Sequence, residues 1–473
     1  MRGIRSYAAH IPYRRLERKD IAAVFGGATG RGQRSVASFD EDTTTMGFEA
    51  ARLALRSIGG ASPDALWFAT AEPAYAEKTN ATALHAALRL DAGVPVMDLN
   101  GAVRSGVGAF LAAVRSTDEV LLAVAGMRGG LPLSADETEG GDGAAAVLVG
   151  DDGDGPVIAE YLGGASETEE FVDRWRTPGS PRPRRWEDRF GETVYVPMAE
   201  RAWNAALKSC ELNPGDVDVA VVTGNHARAV RATAGRLGAK AVADNLDSVV
   251  GNTGAAHFGV VLANVLDQAA PGATVAVVVL ADGVDVLLFR TTDALASFTP
   301  AKSVADQIAR SALVPYGKFL TWRNIVDVEP PNRPTPNRPS SSAAARSTDW
   351  KFGFVGSRDR HTGIVHLPPQ RVGIYGGTTD DMEQVPEAES LATVTTYTVD
   401  RLIYSESPPV IFAVLDFDGG GRFPCQLTDC DVDDIAVGTR VEMTLRRLFS
   451  ADEIHNYFWK ARPIGALEAK ETP

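Results

Sequence analysis

At 473 residues the chain is long enough for two or three domains, each with its own core, and its 44% hydrophobic and 23% charged residues are ordinary for a globular protein. A net charge of −14 argues against a general binder of nucleic acid or anionic membranes, because both need a basic surface. Only three cysteines occur, Cys210, Cys425 and Cys430, without framework spacing, and neither a signal core nor a bilayer-length apolar run is evident, so a reducing cytoplasmic location is expected.

In chain order, Gly3 to Pro12 reads as an opening strand closed by proline. Residues 40–58 follow as a helix, with Met46, Ala50, Leu53 and Ile58 at helical spacing and acidic residues before it, as the helix dipole prefers. Strand-like runs recur at 65–70, 94–99, 120–125 and 144–149, with helical patterns at 79–90 and 106–114 between them. That alternation predicts a layered α/β domain with a buried sheet. Between Asp98 and Phe110 a buried strand turns sharply into a helix, a place where enzymes set nucleophiles because the helix N-terminus stabilises a thiolate or oxyanion.

Residues 164–195, rich in Glu, Arg and Pro and including Arg174-Trp175-Arg176 and Arg189-Phe190, read as a long surface insertion. The pattern then restarts with helices at 196–211, 226–237 and 253–268 and strands at 217–223, 273–280 and 284–290, which suggests an internal duplication. Residues 328–347 read as a flexible linker, rich in Pro, Asn, Ser and Ala. From Ala392 onward five short strand-like runs, 393–397, 410–415, 422–427, 440–445 and 457–461, predict a small barrel such as an OB-fold. OB-folds also bind oligonucleotides, but the acid-rich stretch 388–438 speaks against that use here.

Several phrases stand in a familiar order: Asp40-Glu41-Asp42-Thr43-Thr44-Thr45-Met46, Ala71-Glu72-Pro73-Ala74-Tyr75, Gly141-Asp142-Gly143-Ala144-Ala145, Arg189-Phe190, Gly224-Asn225-His226 and Gly251-Asn252-Thr253-Gly254. By them, residues 1–295 resemble the hydroxymethylglutaryl-CoA synthase branch of the thiolase superfamily. The resemblance implies a duplicated, layered αβαβα fold, a homodimer, and an acyl-CoA thioester as substrate, with coenzyme A present only as part of that substrate. Val365-His366-Leu367-Pro368-Pro369 and the strands after it resemble the acyl-CoA-associated domain of thiolase-like enzymes, a zinc ribbon leading into an OB-fold. We therefore divide the chain into 1–295, a linker and degenerate ribbon at 296–387, and an OB-fold at 388–473. Counted from the His-Leu-Pro-Pro phrase, the ribbon's cysteines would fall at Asp359, Thr362, Gly373 and Gly376, so no metal is expected.

The resemblance also assigns roles. Glu72 falls on the family's catalytic glutamate, His226 on its histidine and Asn252 on its asparagine, a set suited to moving a proton and to donating hydrogen bonds to a thioester oxygen. Val103 stands where the acyl-accepting cysteine belongs and cannot be acylated. Each residue also has a plainer reading: Glu72 as a solvated strand-end carboxylate, His226 as a packed histidine, Asn252 as a turn residue between glycines. Arg104 is a weaker candidate for a CoA phosphate, with a surface arginine as the plainer reading. Ser105 has no identifiable base, and Tyr75, Tyr195 and His257 carry too little signal to assign.

Three functions fit: a retro-aldol lyase on a β-hydroxyacyl-CoA, which needs a base and enolate donors but no acyl-cysteine; a condensing acyltransferase of the hydroxymethylglutaryl-CoA synthase type; and a non-catalytic acyl-CoA-binding scaffold for a partner synthase. The first fits the loss of cysteine beside retained Glu72, His226 and Asn252 most directly.

Overall fold

The computed structural model describes residues 1–465 apart from 27–29, 330–331, 335, 376 and 378. The chain packs as two compact units, Met1–Ala37, Asp42–Thr82 and Asp91–Ile325 forming the first, and Ser38–Glu41, Ala83–Leu90 and Val326–Pro473 the second.

The first unit is built on a ten-stranded sheet in the order Ala241–Val242, Val219–Gly224, Thr274–Leu280, Val284–Thr291, Ala159–Glu167, Arg2–His10, Asp142–Asp151, Val120–Met127, Ala65–Thr70 and Val96–Asn100. From either edge inward the halves repeat: three strands in parallel register, then two antiparallel pairings. The halves meet where Gly3 and Ile4 pair with Glu160 and Ala159. This is the expected duplication, written in topology although no residue-level repeat is visible. The strands are Val-, Leu- and Ala-rich without polar alternation because both faces are covered. The helix His257–Leu266 has nine of its ten residues buried, the signature of an element lying inside the layers.

One expectation needs correction. Residues 164–195 are not a single surface insertion. Ala159–Glu167 is a strand in the middle of the sheet, paired with Val284–Thr291, and a helix already begins at Asp188 and runs to Ser209 through Pro197. Gly163 and Gly164 hid the strand: they break the apolar run, and Gly164 sits against the Val286 carbonyl, where a side chain has no room. The first compact unit runs on to Ile325. Val314, Tyr316, Phe319 and Leu320 close a small separate core with Leu16, Ile21 and Val36.

In the second unit, Ala392–Asp400, Val410–Phe417, Arg422–Gln426, Arg440–Ala451 and Ile454–Pro463 form one antiparallel sheet with Arg422–Gln426 and Ile454–Pro463 at its edges. A parallel bridge from Leu427 to Ala461 draws those edges together, and the Thr428 amide donates to the Ala461 carbonyl at 2.9 Å. Before the barrel, Val355–Asp359, Val365–His366 and Met382–Pro386 form a three-stranded sheet. At the first position where a ribbon cysteine was counted, the Asp359 carboxylate accepts from the amides of His361 (2.8 Å) and Thr362 (3.2 Å), so a side-chain oxygen stitches this turn. Gly376, another counted position, lies outside the described residues. Among the described residues no cluster of three or more His, Cys, Asp or Glu is placed to hold a metal.

The acidic phrase at 40–42 divides its work. Only Asp42 serves the following helix Thr43–Arg56, accepting from the Thr45 amide at 2.9 Å in a capping box. Asp40 and Glu41 are buried in the second unit instead: Lys460 Nζ lies 2.8 Å from Asp40 and Arg446 Nη1 2.8 Å from Glu41.

Candidate active site

Parallel strands deliver polar residues at their C-terminal ends, and the first unit uses four such ends. Ala65–Thr70 leads to Glu72, Val96–Asn100 to Val103, Val120–Met127 to Arg128, and Val219–Gly224 to His226. Thr70 pairs with both Asn100 and Ala125, so the first three exits are neighbours.

Glu72 is held by its backbone: Thr43 Oγ1 donates to its carbonyl (2.8 Å) and its amide donates to Thr70 Oγ1 (3.1 Å). Burial pushes its carboxyl above the ordinary glutamate range, opposed by Arg128, Arg174 and Arg176. Its Oε2 is buried and has no hydrogen-bond partner among the described residues. Arg176 is tied down by donating to the Ala71 carbonyl at 2.8 Å, and Arg174 and Arg128 each reach Asp136 at 3.2 Å.

His226 is the N-cap of the helix Ala227–Ala234. Its Nδ1 accepts from the Ala229 amide at 3.1 Å, which leaves the neutral ring's proton on Nε2. Nε2 is buried and unpartnered, so an N–H is aimed at nothing the described protein supplies. Gly191, just after the Arg189-Phe190 pair, presses on the imidazole; any Cβ there would collide with the ring.

Asn252 is bonded on both sides of its amide. Nδ2 donates to the Gly224 carbonyl at 2.7 Å, two residues before His226, and Oδ1 accepts from the Gly254 amide at 2.8 Å. One Nδ2 hydrogen remains to give. The turn Gly254–Ala256 that follows is packed against the helix Arg104–Ala113, where Gly106 closes on the Ala255 carbonyl. Val103, buried, is the N-cap of that helix. Asn252 and His226 are thus joined through Gly224, Val103 is linked to Asn252 through the packed turn, and Glu72 to Val103 through adjacent strand ends. Asn252, Asn225 and Arg128 line a cavity of about 290 Å³, together with Arg18, Arg185 and Arg231.

Arg104 is engaged by the fold. Its guanidinium grips Asp285 (2.8 and 3.2 Å), Thr168 Oγ1 (3.0 Å) and the carbonyls of Asp282 (2.8 Å) and Glu167 (3.2 Å), so all three nitrogens are spent on the fold. Tyr195 is likewise committed, donating to Asp173 and accepting from the Asp282 amide, both at 3.1 Å. His257 holds the Asn245 carbonyl at 2.9 Å and is a packed residue. The arginines around Glu72 were missed. Arg174 and Arg176 stood in the supposed insertion, and Arg128 carries no signal beyond following an apolar strand.

Comparison with known proteins identifies the fold and the chain's relatives. Over 349 residues, 68% of this chain and 98% of the relative, it is 27% identical to a hydroxymethylglutaryl-CoA synthase of Caldivirga maquilingensis. A hydroxymethylglutaryl-CoA synthase of Methanopyrus kandleri is 28% identical over 346 residues, 68% of this chain and 97% of the relative. The chain is a thiolase-like homologue of the hydroxymethylglutaryl-CoA synthases. Among solved structures, MvaS in complex with 3-hydroxy-3-methylglutaryl coenzyme A superposes with TM-score 0.59 at 19% identity, covering 68% of this chain and 91% of the other. The 3-oxoacyl-[acyl-carrier-protein] synthase III of Aquifex aeolicus gives 0.53 at 20% identity, covering 61% of this chain and 100% of the other. In the homologue's C-terminal part, residues 386–446 match the family model of the ChsH2 C-terminal OB-fold domain.

Proposed function

We propose that this homologue makes or breaks the bond between the α- and β-carbons of an acyl-CoA without forming an acyl-enzyme, with cleavage of a β-hydroxyacyl-CoA as its principal direction. What supports the reading is a buried valine, Val103, at a helix N-terminus where the resemblance sets a cysteine, together with Glu72 after a neighbouring strand and two donors left unspent, His226 Nε2–H and one Asn252 N–H. In the cleavage, Glu72 takes the β-hydroxyl proton and the β-carbon leaves as a carbonyl. The bond's electron pair moves onto the thioester as an enolate, and the same carboxyl returns a proton to the α-carbon. His226 Nε2–H and the remaining Asn252 N–H stabilise the enolate oxygen, donors fixed in place before charge develops. A carboxyl raised by burial suits both halves of that proton traffic.

The test is a panel of β-hydroxyacyl-CoAs. We expect at least one to yield a carbonyl product and a shorter acyl-CoA; no cleavage together with acetyl transfer would reverse the reading. That reverse outcome is the condensing alternative, which the similarity to hydroxymethylglutaryl-CoA synthases favours. Labelled acetyl-CoA separates the two: wild type is expected to retain no acetyl group by mass spectrometry, whereas V103C, with a thiol at a helix N-terminus, is expected to acquire one.

The proposal includes a homodimer. Val96–Asn100 ends the large sheet with unpaired backbone groups along its outer side and Met97 40% exposed. Sedimentation equilibrium is expected to give a dimer for wild type and monomer for M97K; a monomeric wild type at micromolar concentration would exclude it.

A further inference from the structure

Glu72 follows the strand Ala65–Thr70 and Arg128 follows its parallel neighbour Val120–Met127, with Thr70 opposite Ala125, so the two side chains leave adjacent strand ends. Arg128 is buried and Glu72 half-buried with a buried carboxylate oxygen, and the two are of opposite charge, yet no hydrogen bond or ion pair among the described residues joins them. Glu72 Oε2 lacks a partner, and so do Nε and Nη1 of Arg128; only Nη2 is spent, on Asp136 at 3.2 Å. An orphaned buried acceptor and an orphaned buried double donor are each costly on their own. Arg128 also lines the cavity that holds Asn252.

We infer that Arg128 is a further catalytic residue: Nε and Nη1 bind the oxygen on the substrate's β-carbon while Glu72 takes that oxygen's proton. The inference rests on the aldol-type reading above and adds to it the group that discriminates acyl chains bearing a β-oxygen from those without one. In cleavage the O–H bond breaks to Glu72, the developing alkoxide is held by the guanidinium, and its electron pair forms the carbonyl as the carbon–carbon bond opens toward the thioester. No electrons enter or leave the site. Arg174 keeps Asp136 paired when Arg128 is replaced, so the fold has a second cation at that carboxylate.

The experiment is calorimetric binding of 3-hydroxybutyryl-CoA and butyryl-CoA to the full chain as wild type, R128K and R128M, with melting curves to check folding. Wild type is expected to favour the hydroxylated ligand about 10- to 100-fold, the factor for a hydrogen bond to a charged group. R128M is expected to bind both alike and R128K to fall between. A wild type without the preference, or an R128M that keeps it, overturns the inference. Cleavage is measured beside binding: a wild type that discriminates but does not cleave sinks the lyase reading alone. An R128M that cleaves at the wild-type rate sinks the role of Arg128 alone. Should R128M fail to melt cooperatively, R128K decides by the same ratio.

Discussion

H226N is expected to lower kcat by about 10²- to 10³-fold, the usual cost of losing one preorganised donor to an oxyanion, with substrate binding nearly unchanged. Asparagine is the informative replacement because the proposed function gives His226 a second task beside its cap. Its Nδ1 caps the helix Ala227–Ala234 by accepting from the Ala229 amide, and an asparagine oxygen can take over that bond, whereas alanine would add about 1 kcal/mol of lost cap to the catalytic loss. The Nε2–H, buried and unmatched, is what asparagine is too short to replace. Steady-state kinetics on a cleaved β-hydroxyacyl-CoA, with binding and melting measured in parallel, separates the tasks. A variant with lowered stability and undiminished kcat would make His226 a cap and nothing more.

R446M is expected to cost the second unit about 3–5 kcal/mol, the price of stripping a cation from buried carboxylates. Arg446 reaches Glu41 at 2.8 Å and Asp40 at 3.5 Å and also pairs with Asp429, all of them buried; without it Lys460 and Arg462 face three carboxylates. Urea unfolding followed through tryptophan fluorescence reads the loss, since Trp350 and Trp459 lie in this unit. Acid gives the same cluster a signature. Burial alone would push the Asp40 carboxyl up, but Lys460 and Arg446 hold it down at about 2, below its ordinary 3.8. A depressed carboxyl stabilises the fold above its unfolded value and ceases to do so as pH falls through its folded value, so this contribution, about 2 kcal/mol, disappears between about pH 4 and 2. Asp429 is pushed the other way by burial, so D40N identifies the source by flattening that acid limb. An R446M chain as stable as wild type would show that the ion cluster contributes nothing beyond its own desolvation.

The OB strands were legible to within a few residues at most of their ends because antiparallel strands announce themselves locally, by runs of strand-forming residues punctuated by Gly419-Gly420-Gly421 and Gly438. The parallel strands of the large sheet were legible for a related reason: with both faces covered they become continuous apolar runs. Ala159–Glu167 was not, because its packing against Val284–Thr291 requires glycines that erase the apolar signal. The phrases around Glu72, His226 and Asn252 identified candidate chemistry because short motifs survive in sequence whatever lies between them.

Sequence alone determined most of the order of elements, the two α/β halves, the barrel that follows, and a valine, Val103, in the phrase where the resemblance sets a cysteine; each is a property of neighbouring residues. Tertiary structure alone decided partners. It gave Arg104 to Asp285, 181 residues away, and Asp40 to Lys460, 420 residues away, and it drew Arg128, Arg174 and Arg176 around Glu72 from other segments. The physical reason is that a charge in a sequence shows its sign but not its environment: what it does depends on which opposite charge shares its burial, and that is set by strand order and loop path rather than by any residue beside it.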